Sequence, residues 1–161
     1  MTSDSGTSGL NTTISAHLEA RYKGLAAVLR DLAAPLTDEQ FWTKPFPFGN
    51  SVGHLVLHLT GNLNYYIGAQ IAQTGYVRDR PREFSETARP PKAETLKKFD
   101  DAIEIARQTI RSQSPGDWSK PYSGVASAAR DRFEIVLHCA THLHHHIGQI
   151  IYLGFELKRT M

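Results

Sequence analysis

An imidazole returns every fourth residue, as His138, His142 and His146, inside an apolar segment near the C-terminus that runs from Leu137 to Gln149. Side chains at i and i+4 fall on nearly the same face of an α-helix. Two imidazoles so placed can grip one metal ion. The first expectation is therefore a transition-metal site built on a helical scaffold.

The rest of the chain supplies the scaffold. Leu18, Tyr22, Leu25, Leu29 and Leu32 follow a 4-3-4-3 spacing, which predicts an amphipathic helix over residues 13–34, stopped by Pro35. Thr37 caps a short turn through Phe41 and Trp42, and Pro45-Phe-Pro47 reads as extended. Asn50 or Ser51 caps a second helix with the stripe Val52, Leu55, Leu59, Leu63 and Tyr66, running to about Thr74 before Gly75. Residues 76–91 hold three prolines and no helical period, and read as a long crossing loop. Leu96, Phe99, Ile103, Ala106 and Ile110 mark a third helix, broken at Pro115-Gly116. After an irregular stretch over 117–126, a fourth helix is expected from about Ser127 to Gly154. These elements predict an all-α fold, an up-down four-helix bundle with long connections between helices 2 and 3 and between helices 3 and 4.

Composition narrows the class. The 161 residues suffice for one domain with a real core, and the small, polar residues 1–9 are expected to be a disordered leader to a single domain over 10–161. A formal net charge of +2 gives no footprint for nucleic acid, and no apolar run approaches the roughly 20 residues that span a bilayer. With no signal segment and one cysteine, Cys139, a reducing cytoplasm is the expected location. Eight histidines with one cysteine also argue against zinc-finger chemistry.

On a helical wheel with His138 at zero, His142, His145, His146 and Gln149 all lie within about 80°, and His144 falls on the opposite side. Helix 2 adds His54 and His58 as a second i, i+4 pair, with Asn62 and Tyr65 extending that face. Packed imidazoles each need partners, and an unpaired buried polar group costs roughly 1–3 kcal/mol. One metal ion would satisfy several. Spacing alone leaves His138/His142 and His142/His146 open as the chelating pair on helix 4, and His54 and His58 open on helix 2.

Two blocks resemble the DinB superfamily of metal-binding four-helix bundles, the DinB/YfiT-like metalloenzymes. The first is Asn50-Ser-Val-Gly-His-Leu-Val-Leu-His58-Leu-Thr-Gly-Asn-Leu-Asn-Tyr-Tyr66, similar to the family's second-helix pattern. The second is Thr141-His142-Leu-His-His-His146-Ile-Gly148-Gln149-Ile150, which resembles the signature H-x-x-H-H-R-G-Q-I. The resemblance implies His58, His142 and His146 as metal ligands, with His54, His138, His145, Tyr65 and Gln149 lining the pocket or supporting the ligands. Ile147 stands where the family often has arginine, and Thr141 where asparagine is common, so a substrate-binding role of that arginine does not carry over. The implied cofactor is a divalent transition metal: zinc or nickel first, then iron, copper or manganese.

The implied function is metal-dependent chemistry on a small molecule, either transfer of a low-molecular-weight thiol to an electrophile or hydrolysis. The alternative is a non-enzymatic, stress-related dimeric bundle whose metal is structural. Either form is expected to be a homodimer, because Ile150-Ile-Tyr-Leu-Gly-Phe155 carries more apolar surface than one core-facing stripe needs. In the loop after helix 2, Arg78, Arg80 and Arg82 could grip an anion over the site, although a solvated loop balanced by Asp79 and Glu83 is the simpler expectation. No Glu-x-x-His pair points to a di-iron centre, no H-E-x-x-H to a zincin, and no nucleophile elbow or phosphate loop is present.

Overall fold

The leucine stripe of the first helix is buried as its spacing predicts: Tyr22, Leu25, Leu29 and Ala33 are shielded from solvent, with Leu18 and Leu32 at the margin. The computed structural model describes residues 3–124 and 128–159. Its elements are α1 (Ser3–Ala33), α2 (Asp38–Trp42), α3 (Val52–Leu63), a π-helical turn continuing α3 (Asn64–Ala69), α4 (Arg80–Ser85), α5 (Lys92–Arg111) and α6 (Arg132–Arg159). The described residues contain no strand, only an isolated antiparallel bridge between Pro121 and Asp131. The fold is all-α. Helices α1 and α3 each pack on both α5 and α6, so four long helices enclose one core.

Local chemistry sets the boundaries. A capping box holds the start of α2, where Thr37 accepts from the Gln40 amide and the Gln40 side chain accepts from the Thr37 amide. Ser51 caps α3 by accepting from the His54 amide. Asp131 caps α6 by accepting from the Glu134 amide at 2.9 Å, so the helix starts at Arg132. The start expected near Ser127 lies outside the described residues, and the helix runs on to Arg159, five residues past Gly154. At the other end of the chain, α1 begins at Ser3, ahead of the Thr13 start that periodicity suggested. The apolar stripe begins only at Ile14, which is why periodicity could not see the first turns; residues 6–10 are exposed helix.

The connections differ from expectation in one respect that matters for the site. Residues 76–91 are not all loop, because Asp79 accepts from the Arg82 amide and Pro81 sits in the first turn of α4. A six-residue helix is too short to leave a periodic signature. The second helix also changes pitch: after Leu63 its backbone bonds lengthen to i+5 pairs such as Gln70 N–H to Tyr65 O. Two close packings fix the geometry around α3. A side chain at Gly53 would collide with the Trp42 ring, and one at Gly61 with the Glu83 carboxylate.

Tyr22 ties α1 to α6, donating its hydroxyl to the Val136 carbonyl at 2.7 Å. Phe99, Ile103, Ala106 and Ile110 of α5 meet Val52, Leu55, Leu59 and Leu63 of α3 in the core. Each such large side chain contributes about 1.5–3 kcal/mol on burial. On α6 the buried residues include Ile135, Cys139, Leu143, Ile147, Ile150 and Leu153. The histidines flank this stripe, which leaves His142 and His146 half-buried and His138, His145 and Gln149 exposed. Cys139 is fully buried, and burial pushes its thiol up to about 12, so it packs as a small apolar residue.

Candidate metal centre

One histidine from α3 and two from α6 meet at the edge of the core. His58 Nε2 lies 3.2 Å from His142 Nε2, which lies 3.1 Å from His146 Nε2. These three residues form the one group among the described residues in which at least three metal-ligating side chains converge. The i, i+4 step on α6 sets the two rings at 87° with centroids 4.5 Å apart, and α3 brings His58 against both.

The outer nitrogens of two rings are already engaged. His58 Nδ1 faces Glu83 Oε2 at 2.8 Å, and His146 Nδ1 faces Gln149 Oε1 at 2.7 Å. A carboxylate and an amide oxygen at these positions hold the proton on Nδ1 and leave the Nε2 lone pairs pointing inward. Carboxylate–histidine pairs of this kind orient metal-ligating imidazoles and raise their basicity. His142 Nδ1 is buried with no hydrogen-bond partner among the described residues. Three imidazole nitrogens aimed at one point, one of them on a ring that finds no other use for its polar edge, fit a divalent transition metal.

Glu83 is itself held in place. Arg78 grips it through two bonds, Nε to Oε1 at 2.7 Å and Nη2 to Oε2 at 2.8 Å, with the Arg78 and Glu83 side chains only 9% and 7% exposed. The Arg78 guanidinium also lies over the Tyr66 ring. Burial pushes the Glu83 carboxyl up, but the hydrogen bonds from His58 and Arg78 and the Arg78 charge outweigh it. The net pKa lies below the ordinary carboxylate value, and Glu83 stays ionised.

The remaining expected residues lie around this cluster. His54 is buried but turned away, with Nδ1 2.6 Å from Ser51 Oγ and Nε2 3.1 Å from the Glu86 carbonyl. His138 is exposed and stacks on His142 at a centroid distance of 6.2 Å. His145 packs edge-on against His146, with its Nε2 3.3 Å from the Gln149 amide nitrogen. Tyr65 sits on the π-helical turn against Tyr66. The three arginines of the loop do not act together: Arg78 braces Glu83, Arg80 lies over Phe84, and Arg82 pairs with Glu86. Sequence reasoning missed Glu83 and Arg78 as parts of the site. Glu83 is 25 residues from its histidine, and no spacing rule joins a short loop helix to a helix face.

Charge follows from the crowding. Burial, then the neighbouring His146, His58, His138 and His145, hold His142 down to about 3, and burial also lowers His146. The unfolded chain protonates His142 near its ordinary value of about 6.5, whereas the folded, metal-free chain does so only near 3. This residue's contribution to stability is therefore fully present above about 6.5 and lost as pH falls toward 3. Melting temperatures of metal-free protein between pH 7 and 4 should fall, and should fall less steeply in His142→Gln. Equal slopes would contradict a neutral, half-buried His142.

A second test separates the two possible pairs on α6. His146→Ala should lose metal, while His138→Ala should keep most of it, weakened at worst about 10–100-fold. The reverse outcome, read by metal content after dialysis, would move the site one turn toward the N-terminus.

A helical bundle that turns three imidazole nitrogens onto one point, with a buried carboxylate behind one of them, defines an all-α protein whose histidine cluster is compatible with a divalent metal. The sequence profile of the DinB superfamily matches residues 21–150, from the core-facing part of α1 into α6, and the chain belongs to the DinB superfamily. No curated protein matches it. No helix among the described residues is long and apolar enough to cross a membrane.

Proposed function

We propose that the protein is a metal-dependent enzyme in which His58, His142 and His146 hold a divalent ion, zinc or nickel in the first instance, and that its substrate is a small molecule. The observation that carries this reading is the number of donors. Three imidazoles converge, and among the described residues no fourth histidine, cysteine or carboxylate joins them. His54 spends both ring nitrogens elsewhere, and His138 is exposed. Structural zinc sites close their shell with four protein ligands, whereas catalytic ones leave a position open.

A bound divalent metal supplies Lewis acidity, lowering the pKa of a thiol or water that reaches its open side. The chain's own residues do the positioning. Glu83 keeps the proton on His58 Nδ1, Gln149 does the same for His146, and Arg78 keeps Glu83 charged and fixed. Transfer of a low-molecular-weight thiol to an electrophile and hydrolysis both suit such a centre. A reducing cytoplasm would keep such a thiol available.

Metal analysis of the purified protein, followed by incubation with panels of thiols, electrophiles and hydrolysable esters, tests the proposal. Turnover that needs metal and disappears in His142→Ala is expected. A metal that raises the melting temperature without turnover of any panel member would mean a structural role.

We also propose a symmetric homodimer. Tyr152 and Phe155 are exposed on α6, and Tyr152 lines a groove with exposed Phe48, whereas Ile150 and Leu153 turn into the core. An apolar group of this kind is a common dimer surface. Light scattering at micromolar concentration should give twice 18.0 kDa, and a mass near 18.0 kDa would exclude it.

A further inference from the structure

A cleft of about 530 Å³ opens beside the histidine cluster, between the end of α2, the start of α3 and the segment that follows α4. Its walls include Trp42, Phe84 and His54, and its rim carries Lys44 and Arg89. Phe84 is a shared wall: it lines this cleft, and its ring lies 4.8 Å from the ring of His58. His54 and His58 are one helical turn apart on α3. The cleft is thus next to the proposed metal and separate from the ligands.

Its electrostatics are one-sided. Among the described residues, neither Lys44 nor Arg89 lies within ion-pair distance of a carboxylate, unlike Arg78 and Arg82 of the same region. The one acid on the wall, Glu86, is occupied by Arg82 at 3.2 Å and by the Ala88 amide at 2.7 Å. Burial lowers the His54 pKa, and the charges of Lys44 and Arg89 lower it further, against the Glu86 carbonyl and carboxylate, which raise it. Arg89 also holds a left-handed backbone angle, φ +48°. Two uncommitted cations at the mouth of a cavity with aromatic walls suit an anion attached to a flat apolar body.

We propose that this cleft binds the carboxylate end of a small aromatic or unsaturated organic acid. Lys44 and Arg89 would take the carboxylate, and Trp42 and Phe84 would flank the apolar part. As a statement about substrate class this rests on the enzyme reading above; the binding itself needs no metal.

The test uses benzoate and its uncharged counterpart benzamide, titrated into the full-length protein and followed by the tryptophan indole N–H signals in two-dimensional NMR. Trp42 donates its indole proton to the Pro90 carbonyl beside the cleft, whereas Trp118 bonds to Asn11 elsewhere, so Trp118→Phe tells the two signals apart. Benzoate should shift the Trp42 signal saturably and benzamide should not. Lys44→Gln/Arg89→Gln should weaken benzoate about tenfold, as loss of two partly screened charges predicts. Both residues are exposed, so folding is not at stake. The affinity should be unchanged after the metal is removed by chelation. Loss of binding on chelation would mean that the carboxylate sits on the metal, and would overturn the proposal even with the metal site intact. An equal response to benzamide, full affinity in the double variant, or no saturable shift would overturn it as well.

Discussion

His142→Ala is expected to abolish metal binding, taking the content of the dialysed protein from about one ion per chain to background. The reason is position within the cluster. His142 Nε2 is the middle atom, 3.2 Å from His58 Nε2 and 3.1 Å from His146 Nε2. Removing it leaves two donors on separate helices and opens a space where the ring was half-buried. No neighbour is placed to substitute: His138 is exposed, and His54 is tied to Ser51 and Glu86. The bundle should survive, since the core beneath is built by Cys139, Leu143, Ile147 and their partners on the other helices. Circular dichroism of the variant should therefore stay helical while elemental analysis reads no metal. Full metal retention would remove the whole site assignment.

The second large effect is expected at Glu83. Glu83→Ala deletes the acceptor of His58 Nδ1 and leaves the Arg78 guanidinium, 9% exposed, without its partner. Losing the carboxylate behind a ligating imidazole lowers metal affinity about 10–100-fold. Stranding a buried charge costs about 3–5 kcal/mol. Glu83→Gln should separate the two effects. The amide oxygen can still accept from one partner, so stability falls less, while the charge that makes His58 a better ligand is lost. Gly61→Ala approaches the same carboxylate from the opposite side, since the added methyl group would occupy the place of Glu83 Oε1. It should reproduce the loss of affinity without replacing any ionisable residue. Metal competition against a chromogenic chelator and chemical denaturation give the two readouts. Unchanged affinity in all three variants would mean that Glu83 merely fills space.

Most of the scaffold was legible because long amphipathic helices leave long periodic traces. The stripes Leu18–Leu32, Val52–Tyr66 and Leu96–Ile110 are the surfaces that meet in the core, and Thr37 and Ser51 cap where their hydroxyls suggested. Spacing placed His142 in either pair but could not rank its partners, because a wheel carries no information about which faces two helices turn to each other. The family resemblance singled out His58, His142 and His146, the same three that the fold brings together. The other half of the site was invisible for a different reason. Glu83 and Arg78 act across a connection whose helix has six residues, and their pairing depends on a missing side chain at Gly61 that no periodicity records. The start of α6 was read too early because its cap, Asp131, lies within a polar stretch offering several alternatives.

The anchoring of α4 has a consequence for how the chain would respond to its environment. This short helix and its C-cap reach the bundle through two polar spokes, the Glu86 carbonyl on His54 and Glu83 on His58, and the hold of Glu83 depends on the state of the His58 ring. Whatever draws electron density from that ring tightens the Nδ1–H bond, and by reciprocity a tightly seated spoke favours the ion that does the drawing. The segment over 79–86 then works as a gauge. Its amides should exchange with solvent slowly in the loaded protein and quickly in the stripped one, and a protease cutting there would distinguish the two forms while the four long helices stay intact.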